Sequence, residues 1–184
     1  MRIIGGKLKG KTINFIKNQS TRPLKDSVKE NIFNILKHSN ILKVKIENSN
    51  VLDLYSGVGS FGLESISRGA KKVTFVEQDK IAASVLRDNL SKLSILDKAI
   101  VIQDEIKNIF GYKKKFNILF FDPPFSDKNF IDTLELFKES KIYEEKHILI
   151  IHREKNSFDQ FENIIDIDFT KTYGRSKIIF GVFN

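Results

Sequence analysis

An acid followed by two prolines ends an apolar stretch in the second half of the chain. Residues 118–121 (ILFF) form an uninterrupted apolar run, which is typical of a strand buried on both faces. Asp122 follows at the carboxyl end of this strand, and Pro123 and Pro124 then stop the strand ladder because proline has no N–H. The Asp122 carboxylate and the carbonyls left unpaired beside it are acceptors only. This strand end therefore suits a ligand that presents an N–H or NH2 group.

A glycine-rich loop earlier in the chain predicts a nucleoside ligand. The stretch VLDLYSGVGSFG runs from a strand into a helix and has Gly57, Gly59 and Gly62 in the spacing G-x-G-x-x-G. Glycines let the backbone come close to a ligand. Glu77 ends the next strand, where its carboxylate can accept both hydroxyls of a ribose. The alternative is a tight strand-to-helix turn that binds no ligand.

Asp53 distinguishes between the cofactors that use such a loop. It lies near the strand's end, four residues before Gly57, where a carboxylate would sit poorly beside the pyrophosphate of a nicotinamide dinucleotide. It suits a cofactor with a cationic amino group, such as S-adenosylmethionine. Asp104, at the end of the third strand, can accept from an adenine amino group or cap the segment that begins at Ile106. The predicted cofactor-binding residues are Asp53, Tyr55, Gly57, Gly59, Gly62, Glu77, Gln78, Asp104 and Glu105.

Residues 122–125, which we call the acid-proline segment, then predict which group accepts a methyl group. An exocyclic amine on a nucleobase is a poor nucleophile because its lone pair is delocalised into the ring. Asp122 and the Pro123 carbonyl can accept its two hydrogens, localise the lone pair and orient it toward a methyl donor. Phe125 offers a ring face on which an extracted base stacks. The predicted catalytic residues are Asp122, Pro123, Pro124 and Phe125, and a simple strand-ending turn is the alternative.

Alternating strands and helices from Val51 onward supply the frame for these residues. They imply right-handed crossovers and a mostly parallel, doubly wound α/β sheet. The tail, residues 164–183, reads instead as two strands joined by a turn at 173–175, which adds an antiparallel hairpin at one sheet edge. Strands are predicted at 51–55, 71–77, 99–104, 116–121 and 147–152, with amphipathic helices at 81–93 and 130–140.

The first 45 residues have a different character. Residues 2–15 read as a short β-hairpin, and a helix follows, with residues 27–30 matching a capping box. Residues 1–45 carry eleven Lys/Arg and two Asp/Glu, a net charge of +9, whereas residues 46–184 carry −1. A local excess of positive charge favours a polyanion through counterion release. The alternative is a lysine-rich surface that is merely solvated.

Composition limits the remaining possibilities. A chain of 184 residues with a hydrophobic fraction of 41% is long and apolar enough for one globular core. The absence of cysteine excludes disulfides and thiolate metal sites and fits a reducing compartment. The start MRIIGGKLKGK has no apolar core of a signal peptide, and no run approaches transmembrane length. We expect a cytoplasmic monomer without a metal ion or a membrane partner.

Several segments together resemble the RsmD family of 16S ribosomal RNA guanine-N2 methyltransferases, over nearly the whole chain. They are MRIIGGKLKGK, TRPLKDSVKENIFNIL, LDLYSGVGSFGLESISRGAKKVTFVEQD and FFDPPF. The resemblance implies a Rossmann-like seven-stranded sheet with an N-terminal hairpin and S-adenosylmethionine as cofactor. It also implies as substrate a guanine in 16S rRNA, presented within an assembled or partly assembled 30S subunit. Leu24 and Ser27 depart from the family pattern, which has threonine and a basic residue there.

This resemblance divides the chain into a basic, RNA-facing hairpin and helix extension (1–45) and a methyltransferase domain (46–184). Arg22 and Pro23 are expected near the cofactor and the target. For His152, Arg153 and Glu154 we expect a solvated strand end, and contact with the RNA or the target is the alternative. Residues 113–115 are predicted to form an exposed loop, and a contribution to the RNA surface is the alternative. The predicted nucleic-acid-binding residues are Arg2, Lys7, Lys9, Lys11, Arg22, Lys25 and Lys29.

Three other functions remain open. Asp-Pro-Pro-aromatic motifs also occur in DNA adenine-N6 methyltransferases, although no separate segment here is large enough for a target-recognition domain. A nicotinamide-dependent oxidoreductase is disfavoured by Asp53 and by the lack of a second catalytic domain. A non-catalytic RNA-binding assembly factor on a methyltransferase shell is disfavoured by the intact set of glycines and acids.

Overall fold

The structure is a computed structural model that describes residues 1–16, 24–127 and 129–184. The helices are α1 (Asp26–His38), α2 (Ser60–Ser67), α3 (Lys80–Lys92) and α4 (Phe130–Ser140). The strands are β1 (Asn50–Leu54), β2 (Lys72–Val76), β3 (Ala99–Ile102), β4 (Phe116–Phe121), β5 (Tyr143–Glu154), β6 (Ile165–Tyr173) and β7 (Ser176–Phe183). They form one seven-stranded sheet in the order β3-β2-β1-β4-β5-β7-β6.

The strand order makes the sheet doubly wound. From β1 the chain moves outward to β3, then returns past β1 to β4, and β1 to β5 are all parallel. Helices α1, α2 and α3 cover one face and α4 the other, because right-handed crossovers in opposite directions fall on opposite faces. The strands β6 and β7 pair antiparallel beside β5. The predicted Rossmann-like fold with a C-terminal hairpin is confirmed.

The N-terminal segment packs on the helical face that contains α2. Ile3 and Ile13 are buried in the same core as Phe33 of α1. Phe61 of α2 stacks on Phe33, with ring centroids 5.0 Å apart, and on Phe120 of β4, at 3.9 Å. The predicted hairpin is reduced to a single antiparallel bridge between Arg2 and Thr12. The first residues and the sheet therefore share one core.

The start of α1 differs from the predicted capping box. The helix begins at Asp26 after Lys25, and the Lys25 side chain makes no capping hydrogen bond. The Asp26 carboxylate instead lies 3.5 Å from Lys29 Nζ and 3.7 Å from Arg2 Nε. A negative charge in the first turn also interacts favourably with the positive end of the helix dipole. The helix therefore starts with an acidic residue and ion pairs, not with a Ser27 cap.

One connection and one strand differ from the predicted pattern. The crossover from β3 to β4 contains only a short 3-10 segment, Ile106–Ile109. Strand β5 is longer than predicted and runs to Glu154, because β7 pairs with it as far as Ser176. Within the three described ranges, no helix is long and apolar enough to cross a membrane.

Candidate active site

A cavity of about 910 Å³ opens over the carboxyl ends of β1 and β4. This is the switch point of the winding, where doubly wound sheets bind their ligands. Every residue of the predicted catalytic and cofactor-binding sets lines this cavity, except Gly59 and Gly62. The members that do line it are Asp53, Tyr55, Gly57, Glu77, Gln78, Asp104, Glu105, Asp122, Pro123, Pro124 and Phe125.

The three glycines of the loop after β1 serve different purposes. Gly57 has φ +54°, and a Cβ added there would meet nothing within 4 Å. Gly59 has φ +88° and precedes α2, where a Cβ would come within 2.4 Å of Leu86. At Gly62 a Cβ would lie 2.2 Å from the ring of Phe75. Gly57 therefore leaves space beside the cavity, whereas the other two permit the tight turn and the close packing of α2 on the sheet.

Glu77 lies where β2 ends and its carboxylate is held by two backbone groups. Gly57 N–H donates to Oε2 at 2.7 Å, and Asp79 N–H donates to Oε1 at 2.8 Å. Asp79 in turn caps α3 by accepting from Ala82 N–H at 2.7 Å. The acid that ends β2 is thus fixed at the wall of the cavity by the loop that follows β1.

Asp53 is buried beneath the glycine loop. Its Oδ2 accepts from Gly62 N–H at 2.9 Å. Burial raises the pKa of the Asp53 carboxyl well above its usual value; the Gly62 hydrogen bond opposes this rise, and the nearby carboxylates of Asp122 and Glu77 add to it. The carboxylates of Asp122 and Glu77 near Asp53 create a negative potential at this part of the cavity. The site therefore suits a cationic ligand.

Asp104 and Glu105 lie at the exposed rim of the cavity. Asp104 Oδ1 accepts from Glu105 N–H and from the Asn108 side-chain amide, both at 2.7 Å. These two bonds, the amide of Asn108 first, lower the pKa of the Asp104 carboxyl. The N-cap of the short segment that follows is Glu105, so the alternative in which Asp104 is the cap is wrong. The carboxylate of Asp104 remains at the rim as an acceptor.

Asp122 directly follows the last residue of β4, next to the end of β1. Its Oδ1 lies 2.7 Å from His152 Nδ1, and His152 Nε2 lies 2.8 Å from Ser176 Oγ. The Phe125 ring meets the His152 ring edge-on, with centroids 5.3 Å apart. His152 also lines the cavity. One buried imidazole thus contacts both the first and the last residue of the acid-proline segment.

Sequence reasoning missed this role of His152. The predicted solvated strand end is wrong for His152 and Arg153, which are buried because β7 pairs with β5 and covers it on the side away from β4. Alternation along β5 gives a usable signal, since His152 falls on the same face as Ile150 and Ile148 of the core. The partners Asp122 and Ser176 are distant in sequence, so the contact itself has no local signal.

Arg153 is also buried and faces the opposite side of the sheet. Its guanidinium bonds the Asp159 carboxylate at 2.9 and 3.0 Å and lies over the Phe130 ring, 4.9 Å from the centroid. It also donates to the Pro124 carbonyl at 3.4 Å, and that carbonyl belongs to the loop after β4. Arg153 therefore links the loop after β5 to the acid-proline segment.

Among the described residues, the basic side chains of the N-terminal segment do not form one patch at the cavity. Arg2 and Lys25 lie at the end of α1 nearest the cavity. Lys7 lies near the far end of α2, where its N–H donates to the Ser67 carbonyl at 2.8 Å. Arg22 is outside the described residues. The exposed members of the predicted set are Arg2, Lys7, Lys9, Lys11 and Lys25.

Lys29 is wrongly predicted as an RNA contact, because it is completely buried. Its Nζ donates to the Arg2 carbonyl at 3.2 Å and to Ser60 Oγ at 3.3 Å. The Glu64 carboxylate lies 4.0 Å away and also pairs with Arg68 at 2.7 Å. Lys29 therefore connects the N-terminal segment, α1 and α2 inside the protein.

Comparison with known proteins gives the class of the molecule. The solved structure of "Putative methyltransferase yhhF" from Escherichia coli matches with a TM-score of 0.84 and 25% identity, over 100% of this chain and 98% of that one. The doubly wound sheet, its glycine loop and its acid-proline segment are thus those of a Rossmann-like α/β methyltransferase.

The family follows from the sequence matches. The chain belongs to the family described as "Conserved hypothetical protein 95", whose model matches residues 1–182, and the resemblance to the RsmD family is confirmed. "Ribosomal RNA small subunit methyltransferase D" of Haemophilus influenzae is 32% identical, over 85% of this chain and 80% of that protein. "Putative rRNA methyltransferase YlbH" of Bacillus subtilis is 29% identical, over 95% and 94%.

Proposed function

We propose that this methyltransferase transfers a methyl group from S-adenosylmethionine to the exocyclic N2 of a guanine in 16S rRNA. The observation that carries the proposal is the position of Asp122 in the same cavity as Gly57 and Glu77. A group that can bind an amine and a loop that can bind a nucleoside thus face one space. The names of the relatives, which include a small-subunit rRNA methyltransferase, support an rRNA substrate.

The charges of the cavity support S-adenosylmethionine as the cofactor. When bound, this cofactor supplies an electrophilic methyl group on a positively charged sulfur, and it also carries an ammonium group. Burial raises the pKa of Asp53, the charges of Asp122 and Glu77 add to that rise, and a cationic ligand relieves the repulsion among the three acids. We assign Asp53 to the amino group, Glu77 to the ribose hydroxyls and Asp104 to the adenine amino group. Tyr55, Gln78 and Glu105 complete the proposed wall.

The acid-proline segment supports an amino nitrogen as the acceptor. Asp122 is a hydrogen-bond acceptor that lines the cavity, and the carbonyl of Pro123 follows it directly. Together they would accept the two N2 hydrogens of guanine, which directs the nitrogen lone pair toward the methyl donor. Asp122 is then the group nearest to the proton that the nitrogen loses. Phe125, whose ring is fixed against His152, would stack on the extracted base.

We further propose that the natural substrate is rRNA within an assembled or partly assembled 30S subunit, and that the enzyme acts as a monomer. The exposed basic residues of the N-terminal segment can contact phosphates, which position an RNA without reading its sequence. Contacts of this kind favour a target that is presented in a defined shape. Ribosomal proteins supply such a shape by organising the RNA.

The test is methyl transfer from labelled S-adenosylmethionine to three acceptors: 30S subunits from a strain that lacks the enzyme, naked 16S rRNA, and duplex DNA. Digestion then identifies the labelled nucleoside. N2-methylguanosine from the RNA is the expected product, with subunits preferred over naked rRNA. Label in N6-methyladenine of the DNA would move the substrate to the alternative class. No label in any acceptor, despite measured cofactor binding, would favour a non-catalytic assembly factor.

A further inference from the structure

We propose that His152 is a positioning residue for methyl transfer, which holds the Asp122 carboxylate in the orientation that receives the substrate amine. The proposal rests on the proposed function, because it gives a residue outside the predicted site a role in that reaction. It begins from the chain of contacts Asp122–His152–Ser176, with distances of 2.7 and 2.8 Å.

The chemistry of the partners fixes the direction of the first hydrogen bond. An ionised carboxylate can only accept, so His152 Nδ1 carries the hydrogen and donates to Asp122 Oδ1. The Ser176 hydroxyl can donate to Nε2 of a neutral ring or accept from Nε2–H of a charged one. The bond to Asp122 is therefore kept in either protonation state of the imidazole.

The imidazole itself is held from several sides. His152 is 6% exposed. Its strand, β5, lies between β4 and β7, and His152 pairs with Ile178 of β7. Ser176, the first residue of β7, fixes the far nitrogen, and the Phe125 ring packs edge-on against the ring. A ring restrained at both nitrogens and at one edge can orient a carboxylate at the cavity wall.

The same three residue types form the Ser-His-Asp triad of hydrolases, but the surroundings favour positioning. Such a triad needs backbone N–H groups directed at an oxyanion beside the serine. Ser176 is paired on both sides, with Glu154 of β5 and Tyr173 of β6, so the backbone around it belongs to the sheet. Asp122, in contrast, lines the cavity with the glycine loop.

The hydrogen bond from His152 to Oδ1 of Asp122 also fixes the direction in which Oδ2 of the same carboxylate points. With one oxygen of Asp122 bonded to His152, the carboxylate cannot rotate freely, and the second oxygen faces a fixed direction. A misplacement of about 1 Å in a reacting geometry can lower a rate on the order of 100-fold. We therefore expect loss of the imidazole to lower kcat while the cofactor and the RNA still bind.

The kinetic test compares His152→Leu, His152→Asn and Ser176→Ala. The Asn amide nitrogen can occupy the place of Nδ1, so His152→Asn keeps the donor to Asp122 and no longer reaches Ser176. We expect kcat to fall roughly 30- to 100-fold in His152→Leu, with KM for 30S subunits and the dissociation constant for S-adenosylmethionine within about twofold of wild type. His152→Asn should recover most of kcat, and Ser176→Ala should lose about fivefold or less.

The proposal is overturned if His152→Leu retains wild-type kcat, or if His152→Asn is as slow as His152→Leu while both remain folded. Thermal melting and cofactor binding report whether each variant is folded. If His152→Leu does not fold, a kcat of folded His152→Asn far below that of wild type would still overturn the proposal, and the resonance measurement below carries the positive test.

A second measurement does not depend on turnover. In ¹⁵N-labelled protein we expect an imidazole N–H resonance of His152 on Nδ1, identified by its absence from His152→Asn, that moves upfield in Asp122→Asn. If the chemical shift of this resonance is the same in Asp122→Asn as in wild type, the positioning role is overturned even in an active enzyme. If wild type methylates no RNA but this coupling is present, the proposed function has failed and the contact between the two side chains has not.

Discussion

Glu77 accepts a hydrogen bond from the backbone N–H of Gly57 at 2.7 Å, and this bond joins the ends of β1 and β2 at the cavity wall. Gly57 is in the left-handed region, with φ +54°, which residues with a side chain rarely adopt. The position that a Cβ would take there is open. Gly57 therefore combines a backbone requirement with free space beside the proposed cofactor.

Gly57→Ala is expected to separate these two roles of the glycine. The left-handed backbone should lower the free energy of unfolding by about 1–2 kcal/mol, and the methyl group beside the cavity should weaken S-adenosylmethionine binding about tenfold. Gly174→Ala is the matched control, because Gly174 has φ +59° and equally open surroundings in the turn between β6 and β7. Denaturant titration and calorimetry measure the two effects. Equal binding by both variants would contradict the proposed role of Gly57.

Asp53→Asn is expected to stabilise the free protein at neutral pH. The pKa of Asp53 is raised in the folded state, so below about pH 4 its contribution to stability is complete in the wild type. As pH rises toward the raised pKa, the unfolded chain loses its proton first and this contribution is lost. The Asn side chain cannot ionise, and its oxygen can still accept from Gly62 N–H. Urea unfolding from pH 4 to 8 should show a shallower decline for the variant.

The matched control for Asp53 is Asp88→Asn, on the exposed side of α3. It removes the same charge without removing a buried carboxylate, so its stability should follow that of wild type across the pH range. Asp53→Asn should also bind S-adenosylmethionine more weakly than either protein, because the proposed partner of the amino group is lost. Identical pH dependence in Asp53→Asn and wild type would show that the buried carboxyl does not affect stability.

The features of the cavity that the sequence alone predicts are those with local causes. The glycines at 57, 59 and 62 are needed by a turn that begins and ends within a few residues, although only Gly57 of the three lines the cavity, and Asp122 is placed by the strand just before it. These causes can be read from the sequence because proline, glycine and apolar runs act on their own backbone. Glu77 was found in the same way, as the residue after a buried strand.

The parts that were missed depend on contacts between distant segments. The sequence predicts Lys29 as one of the basic residues that face the RNA, but Lys29 is buried, and Arg2, Ser60 and Glu64 supply its partners. For His152 the alternation along β5 indicates burial, but its contacts with Asp122 and Ser176 have no local signal. Both side chains are polar, and a polar side chain is buried without a large free-energy cost only when hydrogen-bond or ionic partners are present. The sequence alone does not name those partners.

Asp122→Asn is expected to lower kcat by at least about 100-fold, while the dissociation constant for S-adenosylmethionine stays nearly unchanged. The amide cannot take the proton that guanine N2 loses, and it has only one acceptor oxygen, the position of which depends on His152. Asp122→Ala should be at least as slow. Asp132→Ala, an exposed acid in the first turn of α4, is the control for removal of a carboxylate. Methyl transfer at the wild-type rate by Asp122→Ala would remove Asp122 from the catalytic set.

The basic N-terminal segment predicts the salt dependence of RNA binding. Replacing Lys7, Lys9 and Lys11 together with Ala should weaken binding and flatten the slope of log K against log salt, by roughly 0.7–0.9 for each phosphate that the protein no longer neutralises. Lys29 is left unchanged because it is buried. Binding of 30S subunits or 16S rRNA at several salt concentrations measures the slope.

Replacing residues 113–115 with Ala is the matched control, because it also removes three exposed lysines. They precede β4 at the amino edge of the sheet, beside Tyr112 and Phe116 of the core that contains α4. The N-terminal segment packs instead with Ile3 and Ile13 on the core that contains α2. An RNA that lies along the N-terminal segment should therefore respond to the first set and not to the second. Equal slopes for both variants would mean that net charge, not this surface, controls binding.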